Sequence, residues 1–141
     1  MIVLDTNVLS ETMKPDPDPN VIAWLNRQSP SSLWLTTITV AELRYGAAKL
    51  PHGRRRMAFE RMIEAYVSDA FRNRIATFDL PATTMFARRA ADAARAGREV
   101  KGFADAAIAA IALAKGFSVA TRDVRPFDDM GVAVVDPWLP L

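Results

Sequence analysis

Four acidic residues stand where short apolar runs end or where apolar helical segments begin. Asp5 closes the run Ile2, Val3, Leu4; Glu42 lies in TITVAELRYG; Asp105 lies in FADAAIAAIA; Asp123 follows FSVAT by two residues. There is no cysteine, and the single His52, next to Gly53 in a basic stretch, is a poor start for an imidazole site. Oxygen-only donors favour Mg²⁺ or Mn²⁺ over zinc, and Mg²⁺ keeps several waters and takes further contacts from substrate phosphates. Such a site can activate water for attack on a phosphodiester. Thr6, Asn7 and Thr121 have the side chains to orient carboxylates or waters. Taken singly, each acid has a plainer reading. Asp105 and Glu42 suit caps or dipole partners near helix starts, while Asp5 and Asp123 suit turns. Asp16, Asp18, Asp128 and Asp129 are read as turn or cap residues. The joint placement of the four therefore decides between structure and chemistry.

The run Ile2, Val3, Leu4 is too uniformly apolar for a solvated strand and reads as a central strand covered on both faces. A lone carboxylate at its end costs several kcal/mol unless something meets it. Asp18 followed by Pro19 marks a helix start, leading into VIAWLNR. Residues 32–37, SLWLTT, read as a second strand, and ITVAELRYGAAKL as a helix broken by Pro51 and Gly53. RRRMAFERMIEAYVSDAF completes a helical hairpin. RIATFD is a third strand candidate, and PATTMFARRAADAARAG a helix with proline at its start and Gly97 at its end. GFADAAIAAIALAKG is apolar enough to be a buried helix. FSVAT and VAVVD close the chain as strand candidates, with Gly131 and Val132 at the turn between them, before the tail PWLPL.

Strands alternating with helices predict an α/β three-layer sandwich with a mostly parallel central sheet. Ligands of such sheets gather beyond the carboxyl ends of the strands. Asp5, Glu42 and Asp123 all fall at that edge. The helix holding Asp105 runs down into FSVAT, so its first turn lies at that strand's far, carboxyl end. Two carboxylates about 6 Å apart repel by roughly 3 kcal/mol at an effective dielectric near 20. Four acids converging there call for a divalent cation.

A chain of 141 residues, half of them apolar, suits one domain with a sizeable core. No stretch approaches the roughly 20 apolar residues of a membrane span, and the N-terminus lacks the pattern of a signal peptide, so a soluble, cytoplasmic protein is expected. The formal charge is +2 with a pI near 9.3. Arg54, Arg55, Arg56, Arg61, Arg72, Arg74, Arg88, Arg89, Arg95, Arg98 and Lys101 concentrate in the middle of the chain. With acids sequestered around a cation, the remaining surface suits a polyanionic partner, although arginines at helical spacing also simply solvate outer faces.

LDTNVLSE at residues 4–11, TITVAELRYG at 37–46, FADAAIAAIA at 103–112, VATRD at 119–123 and GVAVVDPW at 131–138 follow one another in an order and spacing that resembles the PIN-domain ribonucleases. The nearest resemblance is to the VapC-like toxins of toxin–antitoxin modules, in their FitB-like branch, and it runs nearly end to end, making residues 1–141 one PIN-like nuclease domain. It implies a Mg²⁺-dependent endoribonuclease, a homodimer or dimer of dimers, inhibited by a small antitoxin that often carries a DNA-binding domain. Carried over by position, the catalytic and metal-binding acids are Asp5, Glu42, Asp105 and Asp123, supported by Asn7 and Thr121. One departure is visible: many relatives have TRN with an acid three residues on, where this chain has Asp123 and then Pro126. Asp123 is thus the expected fourth acid, with Asp128 and Asp129 in an exposed loop anchored by Phe127. A non-catalytic, Mg²⁺-binding receiver or interaction domain is the competing reading. A haloacid-dehalogenase-like phosphotransferase fits less well, because it needs an aspartate where Asn7 stands.

Overall fold

A computed structural model describes residues 1–140. The first strand, β1 (Ile2–Leu4), leads through α1 (Thr6–Thr12) and α2 (Pro19–Arg27) to β2 (Leu33–Thr36). There follow α3 (Thr37–Ala48), α4 (Arg54–Ala65) with a π-helical turn at Tyr66–Ala70, and β3 (Ile75–Ala76). The chain then forms α5 (Leu80–Arg95), α6 (Phe103–Lys115), β4 (Ser118–Ala120), α7 (Val124–Asp129) and β5 (Val134–Val135). The five strands form one sheet in the order β3-β2-β1-β4-β5, every pair parallel.

β1 occupies the middle, as its apolar run requires. Val3 is opposite Trp34 on one side and Val119 on the other, and the ladder continues through the Asp5 amide donating to the Ala120 carbonyl at 3.0 Å. Each face of the sheet buries its own core. Leu4, Val8, Leu9, Val21, Trp24, Leu35, Leu43 and Ile63 fill the layer under α1 to α4; Val3, Ile108, Ala109, Val119, Phe127 and Met130 fill the layer under α5 to α7. Residues Ala106 to Ala112 of α6 are all buried, which their small size permits by letting the helix lie close on strands and neighbours alike. Strand order reverses between β2-β1 and β1-β4, so the crevice beyond the carboxyl ends of β1 and β4 is the topological switch point.

Four elements differ from the sequence reading. Residues 6–12 form a helix held down by buried Val8 and Leu9. RIATFD and VAVVD shrink to two paired residues each, because both are edge strands with a single neighbour. No tight turn joins the last two strands. They are parallel, so the chain must cross over, and residues 124–129 form α7 for that purpose. Pro126 is tolerated there because it lies in the first turn, where an amide needs no intrahelical acceptor. Met130, expected in a turn, is buried as the residue closing α7, and Phe127 is fully buried as expected.

Candidate active site

The switch-point crevice is a cleft of about 410 Å³ lined by Asp5, Thr6, Asn7, Ser10, Glu11, Lys14, Glu42, Asp105, Arg122, Asp123 and Trp138. All four acids singled out from the sequence border it. Each arrives from a different element: the end of β1, the sixth residue of α3, the third residue of α6 and the residue before α7.

Asp5 is the deepest of them, only 5% exposed. Its Oδ1 accepts from the Thr6 amide at 2.7 Å and its Oδ2 from the Thr121 hydroxyl at 2.8 Å. Thr121 itself is fully buried, and its oxygen accepts from Asn7 Nδ2 at 3.1 Å and from the Asp123 amide at 3.0 Å. The hydroxyl thus uses one donor and two acceptors, all it has. This hydrogen-bonded chain ties the ends of β1 and β4 together and fixes the Asp5 carboxylate. Thr6 Oγ1 donates to Glu42 Oε1 at 2.6 Å, which carries the link to α3.

The capping reading fails for Asp105, although its place in the first turn keeps the dipole reading open, and Asp123, read singly as a turn residue, makes no cap either. Asp105 lies in the first turn of α6, whose cap position is Gly102, and Asp123 precedes α7 without its carboxylate accepting from any amide there. Asp5 does cap α1 through Thr6, so for it the two roles coexist. Asp18 caps α2 by accepting from the Asn20 amide at 2.8 Å, as expected. Asp128 is exposed on α7, and Asp129 faces Arg98 at 3.7 Å; neither lines the cleft.

The electrostatics are those of a cluster of mutually repelling carboxylates. Burial pushes the Asp5 carboxyl up to about 6; the bonds from Thr121 and Thr6 offset part of this, while Asp105 and Glu42 add repulsion. Asp105 is also raised, first by burial and then by Asp123 and Glu42. Among the described residues no three acid or imidazole side chains already close into a ligand cage. The acids border the cleft from four separate elements. A donor set of oxygen alone fits a hard divalent cation.

Five cleft residues escaped the sequence reading: Ser10, Glu11, Lys14, Arg122 and Trp138. Glu11 is 6% exposed and forms an ion pair with Lys14 at 2.6 Å. The i, i+3/i+4 spacing of Asn7, Ser10 and Glu11 would have revealed Ser10 and Glu11 had α1 been recognised; Lys14, just past the helix, and Arg122 and Trp138, brought in from the far end of the chain, carry no such signal.

Fold and site together define a PIN domain: residues 2–133 match the PIN domain family, and the chain belongs to it. It is 47% identical over 140 residues to VapC ribonuclease Y4jK of Sinorhizobium fredii, covering 99% of each chain. It is 40% identical over 138 residues to Toxin FitB of Neisseria gonorrhoeae, covering 98% of this chain and 99% of that one. A solved structure of FitAB bound to an IR36 DNA fragment aligns with a TM-score of 0.93 at 39% identity, over 99% of this chain and 96% of that one. Within the family, the chain is thus a VapC/FitB-like member.

Proposed function

We propose that this protein is a metal-dependent endoribonuclease, the toxin of a toxin–antitoxin module, that hydrolyses RNA phosphodiester bonds with Asp5, Glu42, Asp105 and Asp123. The observation that carries this reading is the Asp5 carboxylate. It is buried, raised to about 6, and bordered by three more acids with no cation paired to it among the described residues. Mg²⁺ or Mn²⁺ bound between these acids would supply a reactive water near neutral pH and positive charge for the phosphate. Thr121 holds Asp5 in one orientation, Asn7 and the Asp123 amide hold Thr121, and Thr6 holds Glu42. Arg98, Lys101 and Arg125 line a hollow that shares Asp123 with the cleft, giving the RNA backbone a basic path away from it.

The kinship with a ribonuclease and a toxin supports the activity, and the FitAB–DNA likeness supports a cognate antitoxin that carries a DNA-binding domain. A homodimer or dimer of dimers is consistent with the large apolar side chains left in water, Leu80 at 81% and Phe103 at 61% exposure, the latter beside Phe78 and Phe86. An apolar hollow between α1, α3 and α4, lined by Met13, Leu43, Ala47 and Phe59, shares Thr6, Ser10 and Glu42 with the cleft and offers an antitoxin a way to cover it. No described helix is long and apolar enough to cross a membrane, and an RNA substrate gives the protein its work in the cytoplasm.

The test is cleavage of single-stranded RNA by the wild type with Mg²⁺, with EDTA, and by the Asp5→Asn protein. Cutting only in the first is expected. Cation binding without cutting in any condition would favour a non-catalytic interaction domain.

A further inference from the structure

The acid cleft contains a cation that no carboxylate among the described residues pairs with. Two basic side chains line it, Lys14 and Arg122. Lys14 is committed to Glu11 at 2.6 Å. Arg122 forms no ion pair among the described residues, although it stands in sequence next to Asp123. Its guanidinium lies instead over the Trp138 ring, 5.4 Å from the centroid, within the range of a cation–π contact.

The backbone that carries that ring is tied down, and the ring itself packs against the core. The Trp138 amide donates to Asp136 Oδ1 at 2.9 Å, and its carbonyl accepts from Asn20 Nδ2 at 3.0 Å, which ties the C-terminal tail to the start of α2. The backbone on either side of Arg122 is fixed as well, by Thr121 bonding Asp5 and by the Asp123 amide bonding Thr121. A long side chain is thereby held at the mouth of an anionic cleft with its donors uncommitted. The planar fork of a guanidinium matches two oxygens of a phosphate, and stacking leaves its in-plane N–H groups free for them.

We propose that Arg122, stacked on Trp138, binds the non-bridging oxygens of an RNA phosphate at the cleft and so delivers to the acid cluster a substrate that it would otherwise repel. The assignment rests on the ribonuclease reading. It gives the tail residues 136–138 a function: they hold the platform under the arginine.

The test is binding of a fluorescent single-stranded RNA by anisotropy across a salt series with Mg²⁺, in the Asp105→Asn protein to prevent cutting. Adding Arg122→Ala should weaken binding about tenfold and reduce the slope of log K against log salt by about 0.7, one phosphate contact on a single strand. Arg122→Lys and Trp138→Leu keep the charge, so both should weaken binding while retaining the slope. Arg72→Ala, at the opposite edge of the sheet before β3, should change neither. In the otherwise intact enzyme, Arg122→Ala should raise KM more than it lowers kcat, with the melting temperature kept. Parent-like affinity and slope in Arg122→Ala, or an equal loss in Arg72→Ala, would overturn the proposal while leaving the nuclease reading intact. A lower melting temperature with an unchanged slope would reduce Arg122 to a brace for the tail and overturn it too. A parent that neither cuts nor binds RNA would overturn both.

Discussion

Two carboxylates near opposite ends of α1 have nearly the same exposure and opposite acidities. Asp5 is 5% exposed and its pKa is raised to about 6; Glu11 is 6% exposed and its pKa is lowered. Position is part of the difference. Asp5 lies at the end of the central strand, whereas Glu11 lies near the end of α1, on the cleft wall with Lys14 and Trp138. The larger part is the partner. Glu11 receives a hydrogen bond and a full positive charge from Lys14, and its burial is more than offset. Asp5 receives only neutral donors, the Thr121 hydroxyl and the Thr6 amide, and faces Asp105 and Glu42 besides. On the proposed reading, a chain that supplies a lysine for one carboxylate and gathers more acids around the other leaves the second for a cation from solution.

The largest expected effect is on catalysis. Asp5→Asn, Asp105→Asn and Asp123→Asn should each lower RNA cleavage by about a hundredfold or more, while Asp128→Asn, exposed on α7, should cut like the wild type in the same gel assay. Cleavage lost in Asp128→Asn and kept in Asp123→Asn would reassign the fourth acid. Thr121→Val comes next. It removes the hydroxyl that serves Asp5, Asn7 and the Asp123 amide at once, and the loss expected for a group orienting a metal ligand is about tenfold to a hundredfold, measured as kcat/KM.

Stability should follow pH with a sign set by Asp5. Its folded-state pKa, about 6, exceeds the ordinary 3.8, so the folded protein holds a proton that the unfolded chain has released. Without metal, this contribution is present below about pH 4 and is lost as pH rises through about 6, a loss of roughly 2–3 kcal/mol. It is isolated by comparing chemical denaturation of the wild type and Asp5→Asn at pH 4 and pH 7. The amide lacks one of the two acceptors that Thr6 and Thr121 use, a cost of about 1–3 kcal/mol at either pH. The variant should therefore be clearly less stable than the wild type at pH 4 and nearly equal to it at pH 7. A constant difference would remove Asp5 as the titrating group.

The smallest effect sharpens the contrast from the other side. Lys14→Met leaves Glu11 covered but unpaired, so its pKa should rise from below the ordinary value, with a modest fall in melting temperature and little change in cleavage. Carboxyl NMR and a thermal melt check this.

The parts of this molecule that were legible in the sequence are those governed by strong local signals. Ile2, Val3 and Leu4 announce a central strand, Asp18 and Pro19 a helix start, and the alanine-rich stretch from Phe103 a buried helix. The four acids could be placed on one edge because parallel topology puts strand ends and certain helix starts together. The illegible parts depend on distant packing. Thr6–Thr12 is poor in strong helix formers and is helical because Val8 and Leu9 must reach the core. Residues 124–129 looked like a loop because of Pro126, although a first-turn proline permits a helix. Arg122 and Trp138 meet only because Asn20 holds the tail across 118 positions of sequence, a contact that no local pattern announces.

The most direct test of the acid cluster as a cation site is a carboxyl NMR titration of Asp5 and Glu11 in one sample, first metal-free and then with millimolar Mg²⁺. Without metal, Asp5 should titrate near 6 and Glu11 below the ordinary carboxylate value. With the ion, Asp5 should fall well below its metal-free value while Glu11 stays where it was. An Asp5 titration that ignores Mg²⁺ and Mn²⁺ alike would contradict the account, because the buried carboxylate would then have no cation to explain it.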